Sequence, residues 1–145
     1  MKTKAKAKDT TEELEKFQYF LFEMDDVLEP FVATARKGGF QLDYSIDSLL
    51  SLEEFLLAQG KAANDSQLRN QAARYLGEVF RKNIGGKWEL CLKDPKYLYY
   101  KLPVITGYSK MPIEFCPIEV IGSFIARKET GLLKQAVETH LEFKK

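Results

Sequence analysis

Apolar residues along the first third of the chain recur three and four positions apart: Leu14, Phe17, Leu21, Met24, Leu28, Phe31 and Ala35, widened by Phe20, Val27 and Val32. That spacing returns to one side of a helix every turn, so it predicts a long N-terminal helix over residues 10–37. Thr10 and Glu13 have the capping-box spacing, and Glu12, Glu13 and Glu15 place negative charge at the positive end of the helix dipole. Arg36 and Lys37 suit the opposite end, and Gly38-Gly39 stops it. Pro30 removes a backbone donor and disfavours helical geometry at Glu29, so a kink or a split is expected near Leu28–Pro30. The seam over 14–35 can cover the chain's own core or pair with a second copy in a homodimer; the intramolecular use is the expected one.

Residues 41–44 read as an extended linker. Ser48 or Asp47 can cap a helix near 48–59, with Leu49, Leu52, Phe55 and Leu56 on one face and Gly60 as its stop. A further helix near 66–84 carries Leu68, Ala72, Ala73, Tyr75, Leu76, Val79, Phe80 and Ile84, and Glu78 and Lys82 are ordered for an i,i+4 pair. Gly77 inside it costs about 1 kcal/mol against Ala, which points to close approach of a neighbouring element. After Gly85-Gly86 the period drops to two, and strands are predicted near 88–93 and 97–102, with a short third near 113–115. Asp94-Pro95 marks the turn between the first two, and Pro103 limits ladder donors. Pro117 suits the first position of a helix near 117–129, and Gly131 divides it from a last helix near 132–142. The pattern gives one α+β domain over 9–145: several helices packed on a small antiparallel sheet of two to four strands.

The composition agrees with one globular domain: 145 residues, 45% hydrophobic and 30% charged. Its net charge of +1 conceals a partition, with +4 in residues 1–8, −9 in residues 9–60 and +6 in residues 61–145. The alternating Lys2, Lys4, Lys6 and Lys8 bury nothing, so residues 1–8 are expected to form a flexible basic tail. That tail has no apolar core of the kind a secretion signal carries. No apolar run reaches the roughly 20 residues that cross a bilayer, so no membrane partner is expected. Cys91 and Cys116 lack the spacing of a disulfide framework or a metal set and read as small core residues, which fits a reducing, cytoplasmic setting.

Most catalytic machinery is excluded by counting. His140 is the single histidine, and its neighbours offer no nucleophile for a Ser–His or Cys–His site. The chain lacks a nucleophile elbow, a Walker loop, a dinucleotide fingerprint and a zinc-protease motif. Asp25-Asp26 and Glu53-Glu54 are adjacent on helices, about 100° apart, and read as solvated faces. Glu78 reads as the partner of Arg81 or Lys82, with a buried, shifted acid as the alternative. Trp88, Tyr97, Tyr99, Tyr100 and Tyr108 are interleaved with Lys87, Lys93, Lys96, Lys101 and Lys110. That mixture serves sheet packing first and a protein-binding face second; a nucleic-acid partner is not expected.

Tyr75-Leu76-Gly77-Glu78-Val79, Arg81, Gly85-Gly86-Lys87-Trp88 and the upstream Leu42-Asp43-Tyr44-Ser45 resemble a group of small uncharacterised bacterial proteins. Those proteins share a Y-L-G-E-V helix followed by a G-G-x-W turn, over about residues 40–130. The resemblance implies a fold and no reaction, and in size and style the group is similar to immunity or accessory proteins of toxin systems. The expected function is therefore a non-enzymatic protein-binding domain, possessing no cofactor or metal and facing a basic protein partner through the acidic helical region. Asp25, Asp26, Glu29, Tyr97 and Tyr99 are its candidate contacts. The alternative is a small-ligand or minor enzymatic pocket near Glu78, Arg81 and Tyr100.

Overall fold

The structure is a computed structural model and describes residues 2–144. Helix α1 spans Lys2–Phe22 and α2 spans Met24–Lys37. The helical backbone thus reaches back beyond the capping box at Thr10, and the expected flexible tail concerns residues whose side chains lie outside those described. The break falls at Glu23 and not at Leu28–Pro30, and Pro30 lies inside α2. Glu23 has ψ near 3°, yet its N–H still donates to the Tyr19 carbonyl and its carbonyl still accepts from Val27, both at 2.9 Å. The two helices therefore meet at a bend that preserves helical phase. From Met24 onward the seam is spent inside the chain, because Met24, Leu28, Phe31 and Ala35 are all buried in the core. Leu14 and Leu21 remain substantially exposed.

Helix α3 (Ser48–Ala58) leads through a 3₁₀ turn at Gly60–Asn64 into α4 (Ser66–Asn83). Asp65 caps α4: its Oδ2 accepts from the N–H groups of Gln67 and Leu68 at 3.1 and 3.2 Å. Asp47 precedes α3 without capping it through its side chain. The local turn uses Ser45 instead, whose Oγ accepts from the Ser48 N–H. Helix α4 is the centre of the molecule, packed against α2 and α5, with Tyr75, Leu76, Val79 and Phe80 fully enclosed.

Strand β1 (Lys87–Leu90) pairs antiparallel with β2 (Pro103–Thr106), with Trp88 opposite Ile105. The sheet has these two strands among the described residues, the small α+β arrangement expected, but the strand predicted at 97–102 is a run of turns. Tyr97, Tyr100 and Leu102 donate to carbonyls three residues back, and Lys101 adopts a left-handed φ of 68°. Two bonds between Cys91 and the pair Lys101 and Leu102 then close the loop. Pro103 opens the strand, where a missing donor costs least. The predicted third strand at 113–115 contributes one bridge, Phe115 to Ile105. Helices α5 (Pro117–Arg127) and α6 (Leu132–Glu138) complete the chain, followed by a 3₁₀ turn at Leu141–Phe143.

The motif residues of the sequence are joined here. Gly77 lies flush against the Trp88 indole, so a Cβ there would overlap Trp88 Cζ2 and Cη2. Gly86, at φ 94°, reverses the chain into β1 where a Cβ would sit 2.7 Å from the Thr106 carbonyl. The Tyr75 hydroxyl accepts from the Tyr44 N–H at 2.9 Å and lies 2.7 Å from Ser48 Oγ. Asn83 Nδ2 donates to the Tyr44 carbonyl at 2.9 Å, and Lys82 Nζ sits over the Tyr44 ring. The segments Leu42–Ser45 and Tyr75–Val79 thus form one hydrogen-bonded unit that holds the linker on α4.

Candidate functional site

Glu78 is the first candidate to place. Its carboxylate receives Arg81 Nη1 at 2.9 and 3.2 Å and Trp88 Nε1 at 2.9 Å. Its side chain is 14% exposed, and a carboxylate so enclosed is stable only when its oxygens are satisfied. Arg81, not Lys82, is the ion-pair partner, and the carboxylate it holds locks the indole on Gly77. Tyr100 stands apart on the 91–102 loop, with Lys101 Nζ 5.7 Å from its ring centroid. The structure therefore brings Glu78 and Arg81 together but leaves Tyr100 elsewhere.

Glu53 corrects the reading of Glu53-Glu54 as a solvated pair. Glu54 is exposed, but Glu53 is 3% exposed, and its two oxygens accept from the N–H groups of Gly131 and Leu133 at 2.8 and 2.9 Å. A side chain from α3 thus caps the start of α6, meeting orphan backbone donors and the positive end of its dipole. The cap arrives from some eighty positions away, and the local signal was its place on the apolar face: Leu49, Leu52, Glu53 and Leu56 share one side of α3.

The loop aromatics form a second cluster. Tyr97 and Tyr99 meet edge to face at 5.2 Å; Tyr97 is 39% exposed and Tyr99 half-buried. Tyr99 packs on a small apolar group of Cys91, Val104 and Cys116. Burial, followed by the neighbouring Glu114 carboxylate, pushes the Tyr97 phenol up to about 12. Burial also pushes the Cys116 thiol up to about 12, which keeps it protonated at neutral pH and removes it as a nucleophile. Both cysteines are free and buried.

His140 is enclosed by rings. Its Nδ1 lies 2.9 Å from the Tyr108 hydroxyl, and Phe80, Phe115 and Phe143 contact the imidazole. Burial holds its pKa below the usual histidine value. Among the described residues no group of three or more His, Cys, Asp or Glu side chains could hold a metal ion, and no helix is long and apolar enough to cross a membrane.

The acidic candidates are the accessible ones. Asp25, Asp26 and Glu29 are all exposed on α2, as the solvated-face reading of Asp25-Asp26 expects. Because the bend at Glu23 preserves phase, Glu15, Tyr19, Phe22, Asp26 and Glu29 fall three or four apart along one outer face of α1 and α2. Tyr19 is 67% and Phe22 80% exposed, two aromatics standing between carboxylates. Tyr97 and Tyr99 belong to a different element, the 91–102 loop, so the predicted contacts divide into two groups. Tyr19 and Phe22 are the residues sequence reasoning missed; their offset from the Leu14–Ala35 seam was the signal available.

Comparison with protein-family models, with curated proteins and with solved structures gives no match for this chain.

Proposed function

We propose that this chain is a non-enzymatic protein-binding domain, an immunity-like inhibitor or accessory protein, that docks a partner with a basic surface on the outer face of α1 and α2. The carrying observation is the stripe in which exposed Tyr19 and Phe22 stand between Glu15, Asp26 and Glu29. Large apolar side chains left in water at the middle of a charged face have the composition of an interface centre and its rim. Aromatic side chains supply contact area at low entropic cost, while the carboxylates steer a cationic partner and set its orientation. Asp25 lies beside this stripe and adds to its field. The buried, unreactive thiols support a cytoplasmic setting.

The test is affinity capture from the native cell with the full chain, the Tyr19→Ser/Phe22→Ser double variant, and the Asp26→Lys/Glu29→Lys double variant. A stoichiometric basic protein retained by the parent and lost by both variants is the expected result, with an aromatic loss of about 2 kcal/mol or more in affinity. Equal retention by all three chains, or no stoichiometric protein on any of them, refutes the reading.

A further inference from the structure

The end of α3, the turn at Gly60–Asn64, the first turns of α4 and the end of α5 enclose a cavity of about 670 Å³ that shares no residue with the acidic stripe. Leu56, Leu57 and Ile125 contribute to its apolar wall, and its charged residues are Lys61, Arg69 and Lys128, with no carboxylate in the lining. A mostly apolar concavity with a few converging polar groups is the usual form of a small-molecule site.

Two of the three cations have a local reason to be there. Lys61 follows the C-terminal end of α3 and Lys128 is the C-cap of α5, where positive charge offsets the unpaired carbonyls. Arg69 has none. It is the fourth residue of α4, near the positive end of that helix, and Asp65 spends a carboxylate oxygen on the N–H groups of Gln67 and Leu68 without an ion pair to it. Of the five arginines in the chain, the other four find acceptors: Arg36 at the Leu42 carbonyl, Arg74 at the Phe20 carbonyl, Arg81 at Glu78 and Arg127 at Glu129. Arg69 Nε is buried and has no hydrogen-bond partner among the described residues. Gly122 makes the room this guanidinium occupies, since a Cβ there would lie 2.9 Å from Arg69 Nη2. Arg69 thus lines the cavity with a guanidinium that has a donor unmatched among the described residues, and the cavity beside it has room for an acceptor from outside.

We propose that this cavity binds a small amphipathic carboxylate, with the apolar body against Leu56, Leu57 and Ile125 and the carboxylate on Arg69. The guanidinium presents parallel N–H groups that match two carboxylate oxygens, and Lys61 and Lys128 surround that pair with positive charge. The apolar wall disfavours fully hydrated inorganic anions, which would lose water there without recompense.

Decanoate titrated into the full chain tests this, followed by calorimetry and backbone amide shifts, with 1-decanol and acetate as arms that carry only the tail or only the charge. Decanoate is expected to bind with shifts centred on Ala63, Gly122 and Ile125, and both control arms at least about tenfold more weakly. Arg69→Met is expected to weaken decanoate about tenfold or more. Lys128 holds a left-handed φ of 54°, so Lys128→Gly relieves backbone strain and is expected to melt no lower than the parent while binding a few-fold more weakly. That variant keeps the test decisive if Arg69→Met melts early. No binding of decanoate at millimolar concentration overturns the proposal. So does equal binding of 1-decanol, shifts mapping away from the cavity, or unchanged affinity in both variants.

Discussion

Helices α4 and α1 are both amphipathic in sequence, and the fold uses them in opposite ways. In α4 the buried residues run almost unbroken from Ala72 to Phe80, and even its polar members are committed. Arg74 donates to Asn70 and to the Phe20 carbonyl and stacks over the Phe20 ring at 4.2 Å. Tyr75 holds the Tyr44 turn, and Gly77 with Glu78 seats Trp88. From Thr10 onward, α1 has Phe17 as its buried residue, and its hold on the body includes Arg74 and the edge contact of Phe20 with Trp88. Stability is concentrated in the helix whose side chains have several partners each. The outer face of α1 instead leaves Tyr19 and Phe22 in water.

The widest gap between the two helices is predicted at Trp88 and Phe22. Trp88→Ala vacates the surface against Gly77 and leaves the Glu78 carboxylate with Arg81 as its remaining donor, and should cost about 3–5 kcal/mol of stability. Phe22→Ser should change stability by less than about 0.5 kcal/mol. Chemical denaturation of both variants checks this, and comparable losses would dissolve the distinction between the two helices.

A smaller effect belongs to Glu53. Glu53→Ala leaves the buried N–H groups of Gly131 and Leu133 without acceptors and should cost about 2–4 kcal/mol, while Glu53→Gln keeps an acceptor and should cost less. Glu54→Gln, the exposed neighbour, should be silent in the same denaturation series. Equal effects at positions 53 and 54 would restore the solvated-pair reading.

The smallest effect is a pH dependence at His140. Its folded pKa lies below the unfolded value of about 6.5, so the unfolded chain takes up the proton first as pH falls. Stability is complete above about pH 6.5 and is lost progressively below it, until the folded imidazole also protonates. The loss between about pH 7.5 and 5.5 should shrink in His140→Gln, measured by urea unfolding at each pH. An identical loss in parent and variant would place the titration elsewhere.

What could be read from the chain alone follows the range of each interaction. Helices near 48–59, 66–84 and 117–129 were legible because caps, stops and 3.6-residue periodicity are local, and their observed ends differ by one or two residues. Gly77 was legible as a point of close approach because a glycine in mid-helix needs a reason, and the structure supplies Trp88 as the side chain that approaches. Tyr97–Leu102 misled because alternating aromatic and apolar residues mimic a strand, while a left-handed Lys101 and the bonds to Cys91 decide for turns. Pro30 misled in the other direction: α2 carries it within the helix, and the bend falls two turns earlier at Glu23. The stripe of Tyr19 and Phe22 was visible as letters but not as a surface, since exposure depends on which face the rest of the chain leaves uncovered. The cavity around Arg69 combines three helices and a turn, and no window of sequence contains them.

The Glu53 cap ties the order of assembly to topology. Helix α6 is seven residues long, too short to persist alone, and its first donors find their acceptor only once α3 is in place. Amide exchange in Leu133–Val137 should therefore report the docking of two elements and not the fraying of one. A chain cut after Thr130 loses more than α6, because it leaves the Glu53 carboxylate in the interior with nothing to receive. On the ribosome, that carboxylate waits for partners made some eighty residues after it.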